Sequence, residues 1–553
     1  MDGNFRELFR KFCVEGSILG LKYFYIYPDA ISRCFWAVTM LGITYTAFVL
    51  TWLLYIRFRD IPTRITIENQ YEPLAEVSFP AITICTPNQV TFSAMNHFNR
   101  TLVCFWAVTM LGITYTAFVL TWLLYIRFRD IPTRITIENQ YEPLAEVSFP
   151  AITICTPNQV TFSAMNHFNR TLVDGNLTLN LEKVLPMLLA FYVPIKLEPE
   201  ATNDLEHFQS LVELNRYTLP EVMFALPQRC EDFLRMCVFE GEVFPNCRGL
   251  LRPVLTAHGL CCIFNSVYFF KDGKRNEKDT RFKSRSVTTS GYLKGLTVIT
   301  DYNPADALDH TILNAGSTRV MFNDMNEFPS DDEMKLVHAD SQSFHILHAT
   351  YTYCSEEVQQ LPVWSRKCYY KWEQLLPYFG DYHNADCDSL CYVKAVEKAC
   401  ECQLFYAPNI RLGKACNATS IFCVMRVKLH LYKYISPEEC DCLRDCDYMR
   451  YRTDTTIGNL KGLPYVINKP YTDLVFNKST SMMHFYFTSS VYVKQKQETV
   501  MSLITLTSNL GGVFGLCLGC SAMSVLEILF YIYIVIRNHV RRRLQHQVYP
   551  VLN

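Results

Sequence analysis

The sequence predicts an α+β membrane protein in which two transmembrane helices flank a large, disulfide-rich extracellular domain. Long uncharged apolar stretches near both ends of the chain, dense cysteines between them and glycosylation sequons in the same central region predict it. The 553 residues carry 52 basic and 53 acidic side chains, so the charge balance gives no sign of a nucleic-acid-binding surface. Half the residues are hydrophobic, which excludes a mostly disordered chain.

Three stretches lack Asp, Glu, Lys and Arg for long enough to cross a bilayer, which requires about 20 apolar residues. They are Phe35–Ile56, Phe105–Ile126 and Thr499–Leu526. The first starts too deep in the chain and runs too long for a cleaved signal peptide, so we expect it to remain as an anchor.

An exact internal repeat complicates the topology, because residues 34–103 recur unchanged as residues 104–173. Structural repeats drift in sequence, so perfect identity indicates either a recent exon duplication or an assembly or gene-model error, and we favour the error. Both chain ends are basic, which predicts that both termini are cytoplasmic and that the number of spans is even. We therefore interpret the chain as a multi-pass plasma-membrane protein with two spans and 483 residues, that is 553 minus 70.

Eleven of the 23 cysteines fall between Cys354 and Cys446, a density typical of disulfides in an oxidising compartment. Asn-x-Ser/Thr sequons agree with an extracellular location and stand at Asn169, Asn176, Asn417 and Asn477. The predicted organisation begins with a cytoplasmic segment, 1–33. A first membrane helix and first extracellular strand follow in 34–103, with an identical copy in 104–173. The extracellular domain is 174–498 with a cysteine-rich region 354–446, and it is followed by a second membrane helix, 499–536, and a basic cytoplasmic tail, 537–553.

Local patterns predict several elements of the extracellular domain. Runs of β-branched and alternating apolar residues predict strands at Val147–Cys155, Gly291–Thr300, Arg319–Phe322 and Val491–Lys496. Helices are predicted at Glu231–Val238 and Trp372–Phe379.

The last apolar segment, Thr499–Ile536, is too long for a simple span. Its 38 residues contain a single charge, Glu527, and would make a straight helix of about 57 Å, whereas the hydrocarbon core is about 30 Å thick. The segment must tilt, protrude or break. Small residues spaced three or four apart lie on one helical face, and they are Ser508, Gly511, Gly515, Gly519 and Ala522.

Two interpretations of this small-residue stripe stay open. Small residues let membrane helices pack closely, which is the commoner reason for such a stripe. Alternatively the stripe lines a pore shared by several chains, where backbone carbonyls replace part of an ion's hydration shell. Gly519-Cys520-Ser521 could bring carbonyls and a hydroxyl to one level, and a carboxylate at Glu527 inside the membrane is typical of an ion path.

Several motifs carry a family resemblance. The segment Gly511–Glu527 resembles the second membrane helix of the degenerin and epithelial sodium channel family. Phe149–Cys155 resembles the motif that follows the family's first helix, Gly259–Asn265 resembles its Gly-x-Cys-x-x-Phe-Asn motif, and Cys400–Pro408 matches its thumb. The detailed pattern is most like the insect pickpocket branch.

The resemblance implies a palm, thumb and finger domain and a homo- or heterotrimeric channel in the lipid bilayer. It also implies a pore-forming subunit that is sodium-selective, amiloride-sensitive and gated from the extracellular side. The selectivity filter would be Gly519, Cys520 and Ser521, and Ser508 would be the position where bulky side chains hold the pore open. Sodium would be the permeant ion, with no cofactor, catalytic residue, metal site or nucleic-acid partner expected.

The family's nested thumb ladder implies a set of disulfides. The implied pairs are Cys155–Cys261, Cys237–Cys247, Cys368–Cys446, Cys387–Cys442, Cys391–Cys440, Cys400–Cys423 and Cys402–Cys416. A zinc site at Cys400/Cys402 and Cys440/Cys442 is the alternative, but the one-residue spacers and the oxidising side favour disulfides. Cys230, Cys262 and Cys354 receive no partner from the sequence.

One departure from the family matters for function. Its cytoplasmic His-Gly motif, which contributes to gating, is Leu19-Gly20 here. This loss keeps a non-conducting modulatory subunit open as an alternative. A two-pass, disulfide-rich receptor without a pore is a second alternative, although it leaves the Gly-x-Ser segment unexplained.

Overall fold

The computed structural model describes residues 98–130, 133–173, 179–198, 200–460, 474–501 and 503–518, with a few single residues elsewhere. The chain divides into two compact units. One unit is Ile137–Gln497, and the other combines the two terminal segments, Met1–Thr136 and Glu498–Asn553.

The strands among these residues are β1 (Ile65–Thr66), β2 (Thr133–Pro143), β3 (Ala151–Cys155), β4 (Leu234–Phe239), β5 (Glu242–Pro245), β6 (Leu251–Thr256), β7 (Gly259–Phe264), β8 (Tyr268–Lys271), β9 (Arg275–Lys278), β10 (Leu296–Asp301), β11 (Thr318–Asn323), β12 (Met334–Val337), β13 (Ser341–Cys354), β14 (Cys368–Tyr369), β15 (Leu375–Leu376), β16 (Gly380–Asp381), β17 (Arg444–Asp445), β18 (Tyr448–Asn459), β19 (Thr480–Phe487) and β20 (Val491–Thr499).

The α-helices are α1 (Phe98–Asp130), α2 (Phe162–Thr171), α3 (Leu181–Val184), α4 (Ala201–Leu214), α5 (Leu219–Ala225), α6 (Cys230–Phe233), α7 (Glu356–Gln359), α8 (Val363–Arg366), α9 (Asn384–Cys400), α10 (Ile421–Leu429) and α11 (Leu503–Leu518). Short 3-10 helices lie at Leu144–Glu146, Leu185–Phe191, Pro304–Asp306, Asn314–Gly316, Leu412–Lys414, Ala418–Ser420, Leu431–Lys433 and Pro437–Cys440.

Two sheets form the centre of the unit Ile137–Gln497, a larger mixed sheet and a smaller antiparallel sheet. The larger sheet runs in the order β2-β20-β13-β19-β10-β4-β5, and the smaller one in the order β12-β11-β3-β7-β6. The long strand β13 organises the larger sheet, because β18 pairs antiparallel with it while β19 and β20 pair parallel with its first and second halves.

The smaller sheet is buried on both faces, and its side chains alternate between two cores as the strand period requires. On β3 and β7, Ile152, Ile154, Cys262 and Phe264 join the core shared with the larger sheet. Cys155, Cys261 and Ile263 join a second core on the opposite face, together with side chains that precede or lie on α9. A further helical core gathers α3, α4, α5, α9 and α10 around Phe191, Phe208 and Phe405.

The strand predictions are confirmed at β3, β10, β11 and β20, with shifted ends. The helix predicted at Glu231–Val238 is wrong beyond α6, because the next residues form β4 between β10 and β5 and satisfy their backbone groups in the sheet. The helix predicted at Trp372–Phe379 is also wrong. Pro377 cannot continue a helix and Tyr378 has φ +71°, so the chain turns from β15 to β16.

In the unit that holds both chain ends, α1 and α11 contact each other. Among the described residues, Leu111–Arg129 of α1 is the one helical stretch that is long and apolar enough to cross a membrane by length and composition. Most of Phe35–Ile56 and of the segment after Leu518 lies outside the described residues.

The repeated segment has two structural outcomes in this chain. Phe98–Val103 begins α1, whereas the identical residues Phe168–Val173 end α2 and continue into extended backbone. The second copy supplies both α1 beyond Val103 and β3. The first four residues are thus helical in both copies, and only the last two differ.

Replacing Phe149 tests the core between the two sheets. Phe149 is fully buried and makes edge-to-face contacts with Phe239, Phe264 and Phe487 at 5.4–5.8 Å between ring centroids. We expect Phe149→Ala to lower the free energy of unfolding by about 3–5 kcal/mol, because it removes an aromatic ring and leaves a cavity. Thermal unfolding of the detergent-purified protein measures this, and the exposed Trp364→Ala is the control. An equal loss in both variants would contradict the assignment.

Acid should destabilise the larger sheet through His345. This ring is buried between Ser343 and Thr455, at 2.9 and 3.1 Å, and burial lowers its pKa to about 3. Because the folded pKa is below the ordinary 6.5, the stabilisation is complete above pH 6.5 and is lost as pH falls toward 3. At pH 5 the loss is about 2 kcal/mol.

The melting temperature measured between pH 7.5 and pH 5 tests this pH dependence. His345→Gln should flatten the decrease, whereas His348→Gln, at an exposed histidine on the same strand, should leave it unchanged.

Candidate functional site

The small-residue stripe lies on the exposed side of α11. Ser508, Gly511 and Gly515 fall within about 60° of one another around the helix axis, and all three are exposed. Leu506, Leu510 and Val513 are partly covered and lie on the opposite side of the helix. A Cβ added at Gly511 would meet nothing within 4 Å. The stripe is therefore not the surface of α11 that is covered within the chain.

The covered surface of α1 has the same helical spacing. Ala117 is buried, and Thr121, Leu124 and Phe128 are partly covered, four or three residues apart along one side. Most of the remaining large side chains of this apolar stretch, including Leu111, Tyr115 and Phe118, are exposed. This arrangement is typical of a helix that packs against one neighbour and otherwise faces lipid.

The other predicted pore and gating residues lie outside the described part of the chain. They are Gly519, Cys520, Ser521, Glu527, Leu19 and Gly20.

An ion pair joins the strands that follow α1 and precede α11. The Nε of Arg134 on β2 donates to Oε1 of Glu498 on β20 at 3.1 Å, and the Glu498 side chain is only 8% exposed. Because a charge-assisted bond at a largely buried carboxylate is stronger than a surface pair, the two strand ends are held together.

Farther along the same two strands, β13 joins a second polar cluster. The Tyr353 hydroxyl donates to the Glu138 carboxylate at 2.8 Å, and Lys494 lies 3.8 Å from Glu138 and 3.7 Å from Glu142. The Lys494 ammonium also lies 5.5 Å from the centroid of the Tyr353 ring. Burial and the hydrogen bond to Glu138 raise the pKa of Tyr353 well above its usual range, so the hydroxyl keeps its proton.

The Gly259–Asn265 motif contacts the segment around β3 at both ends of β7. Gly259 has φ +100°, and a Cβ there would lie 2.1 Å from Oε1 of Gln159, which accepts from the Leu260 amide. At the other end, Asn265 donates from its side-chain amide to the Phe149 carbonyl. The glycine and the asparagine therefore position β7 against the segment that contains β3.

The structure contains all seven disulfides implied by the resemblance. It adds Cys230–Cys262, which the sequence analysis missed. Adjacent residues on β7 point to opposite faces, so Cys261 bonds Cys155 in one core while Cys262 bonds Cys230 at the other. The alternation of side chains along Gly259–Phe264, which was not predicted as a strand, is the signal that separates these two cysteines.

Among the described cysteines whose bonding the structure gives, Cys354 is the free thiol, and burial raises its pKa to about 11. Of the predicted glycosylation sites, Asn169 and Asn477 are exposed and Asn417 is half-buried at the start of a 3-10 helix, while Asn176 lies outside the described residues.

Comparison with known proteins identifies the class. The family described as amiloride-sensitive sodium channel matches residues 12–103 and 96–531, so each match contains one copy of the repeat. The chain belongs to this family, which is the degenerin and epithelial sodium channel family of the resemblance. It is therefore a subunit of a membrane-embedded cation channel and not an enzyme, and Ile137–Gln497 fits the family's disulfide-rich extracellular domain.

The relatives place the chain near the insect pickpocket branch. Sodium channel protein Nach of Drosophila ananassae is 27% identical over 448 residues, which cover 80% of this chain and 83% of that protein. Pickpocket protein 28 of Drosophila melanogaster is 23% identical and covers 76% and 73%. Acid-sensing ion channel 4-B of Danio rerio is 24% identical and covers 73% and 66%.

Removing the Tyr353 hydroxyl tests the polar cluster on β2, β13 and β20. We expect Tyr353→Phe to lower the free energy of unfolding by about 1 kcal/mol, because Glu138 loses a hydrogen bond but stays partly solvated. Thermal unfolding measures the effect. Tyr351→Phe is the matched control, since its ring stacks on Tyr353 from the same strand, at 6.0 Å between centroids. Equal melting of Tyr353→Phe and the unmodified protein would contradict the contribution of this bond.

Proposed function

We propose that this chain is a pore-forming subunit of a sodium-selective, amiloride-sensitive channel, assembled as a homo- or heterotrimer of related subunits. Each subunit spans the plasma membrane twice, with both termini in the cytoplasm. Gly519, Cys520 and Ser521 form the selectivity filter, Ser508, Gly511 and Gly515 line the pore above it, and Glu527 lies below.

The observation that carries the proposal is the position of the small-residue stripe. If the stripe served packing within the chain, it would lie on the side of α11 that is covered, where Leu506, Leu510 and Val513 are found instead. The stripe is exposed in the single chain, so it is available to an axis shared with other copies. Small side chains there leave room for a water-filled path between closely spaced helices.

Opening from the extracellular side is supported by the strands connected to the membrane helices. β2 follows α1 and β20 precedes α11, and Arg134 and Glu498 join these two strands. β13 contacts the same strands through Tyr353 and continues toward the cysteine-rich region, which is stiffened by five disulfides. A rigid extracellular domain can transmit a conformational change along such strands without unfolding.

Thiol modification tests the filter. In cells that express the chain without residues 34–103, a thiol reagent applied to the open channel should reduce sodium current. Cys520→Ser should conduct and resist the reagent, since its hydroxyl side chain is similar in size. Cys517→Ser is the matched control and should keep the sensitivity. Full sensitivity in Cys520→Ser would exclude Cys520 from the pore.

A bulky side chain at Ser508 tests the stripe. Ser508→Phe should raise the resting current by roughly tenfold, which corresponds to about 1.4 kcal/mol on the opening equilibrium. Leu510→Phe, on the covered side of the same helix, should not raise it. Block by amiloride and the reversal potential in sodium against potassium measure the remaining parts of the proposal.

Leu19 supports a second candidate, a modulatory subunit that does not conduct alone. Current from the chain expressed alone favours the pore-forming homomer. Current that appears only with partner subunits, and that changes with Cys520→Ser, favours a pore-forming member of a heteromer. Partner-dependent current that no filter variant alters favours the modulatory role.

A further inference from the structure

Three side chains from distant parts of the chain converge beside the smaller sheet. Glu327 lies in the loop after β11, His383 directly precedes α9, and Asp445 lies on β17. One potential ligand atom from each lies within 4.8 Å of the others. His383 and Asp445 are buried, whereas Glu327 is partly buried.

The fold does not use the full bonding capacity of these groups. His383 occupies the N-cap position of α9 but makes no side-chain cap. The cap comes instead from Asp445, whose Oδ2 accepts from the Asn384 amide at 3.1 Å. Its other oxygen, Oδ1, is buried without a hydrogen-bond partner among the described residues. Leaving such an acceptor unsatisfied costs about 1–3 kcal/mol.

A second buried carboxylate repeats this pattern. Oδ1 of Asp386 accepts from the Phe328 amide at 2.8 Å, and Oδ2 has no partner within hydrogen-bond distance in the described part of the chain, although the Tyr268 hydroxyl interacts with the same carboxylate. Asp386 is completely buried, and its charge acts on both Glu327 and Asp445. The unsatisfied oxygens thus belong to one neighbourhood.

The charges in this neighbourhood favour a cation. Glu327, Asp386, Asp445 and Asp324 contribute four carboxyl groups, and Lys278 and Lys371 contribute two ammonium groups, so acidic groups outnumber basic ones two to one.

We propose that Glu327, His383 and Asp445 bind a divalent transition-metal ion of the zinc class. Zinc accepts both imidazole nitrogen and carboxylate oxygen as ligands, and a site with three protein ligands keeps a fourth position for water. Calcium needs six to eight oxygen ligands and magnesium a nearly octahedral oxygen shell, which this set does not provide.

The spacing suits zinc after small side-chain adjustments. Bonds of about 2.0–2.1 Å place tetrahedral ligand atoms about 3.4 Å apart, compared with the 4.8 Å limit observed here. The Glu327 carboxylate, which accepts from the Asp324 amide at 3.1 Å, would have to shift to close that difference.

The bound ion would connect two parts of the domain. Asp445 immediately precedes Cys446, which bonds Cys368, and His383 begins α9, so both belong to the cysteine-rich region. Glu327 follows β11 of the smaller sheet. The ion would therefore link the cysteine-rich region to the smaller sheet. Among the described residues, no disulfide makes that link.

Zinc binding to the full chain purified in detergent tests the proposal. Equilibrium dialysis against Zn²⁺ buffered by a competing chelator gives the number of bound ions and their affinity. The unmodified protein should hold one ion that His383→Gln and Asp445→Asn each weaken by more than about tenfold. His348→Gln is the matched control, because His348 also lies 3.2 Å from a carboxylate but is exposed and lacks a third ligand. Millimolar Ca²⁺ should not displace the zinc.

X-ray absorption of the zinc-loaded, unmodified protein keeps the test valid if a variant fails to fold. Nitrogen and oxygen ligands with one imidazole and no sulfur are expected. Sulfur in the first coordination shell, equal zinc affinity in the two ligand variants and the control, or no zinc bound by the unmodified protein would each overturn the site. None of these measurements depends on current, so they succeed or fail independently of the proposed channel function.

Discussion

The smaller sheet is the constraint on which the extracellular domain depends, because it is covered on both faces. Its strands must present apolar residues in both directions, so each strand serves two cores with alternate side chains. The neighbouring cysteines 261 and 262 show the consequence most clearly. One-residue alternation sends their disulfides to opposite faces, where each fixes β7 to a different part of the chain. A one-residue shift in register would exchange both bonds at once.

The same alternation explains which elements the sequence could predict. β3 and β11 are short apolar runs rich in β-branched residues, and their buried positions agree with that pattern. Leu234–Phe239 has apolar residues at spacings that fit either a helix or a strand, and only pairing with β10 and β5 decides between them. Leu376 and Phe379 do reach a core, but they do so from the two ends of a tight turn between short strands, which helical periodicity does not detect.

The candidate sites differ in how far sequence alone defines them. The helical spacing of Ser508, Gly511 and Gly515 predicts that they share one face, but it cannot tell whether α1 covers that face. The structure adds this information, since the covered residues lie on the other side of α11. Glu327, His383 and Asp445 are separated by 56 and 62 residues, and their approach arises only from the packing of α9 and β17 beside the sheet. No local spacing signals such a cluster.

The start of α1 in the first copy of the repeat has a consequence for the shorter chain. Removing either copy yields the same 483-residue sequence, in which Arg33 precedes the apolar segment in place of Val103. The six residues before the helix would then be Pro-Asp-Ala-Ile-Ser-Arg, from Pro28 to Arg33. Proline is favoured in the first turn of a helix, and an aspartate there interacts favourably with the helix dipole. Removal of one copy would thus place residues that favour a helix start where Phe98–Val103 stand in this chain.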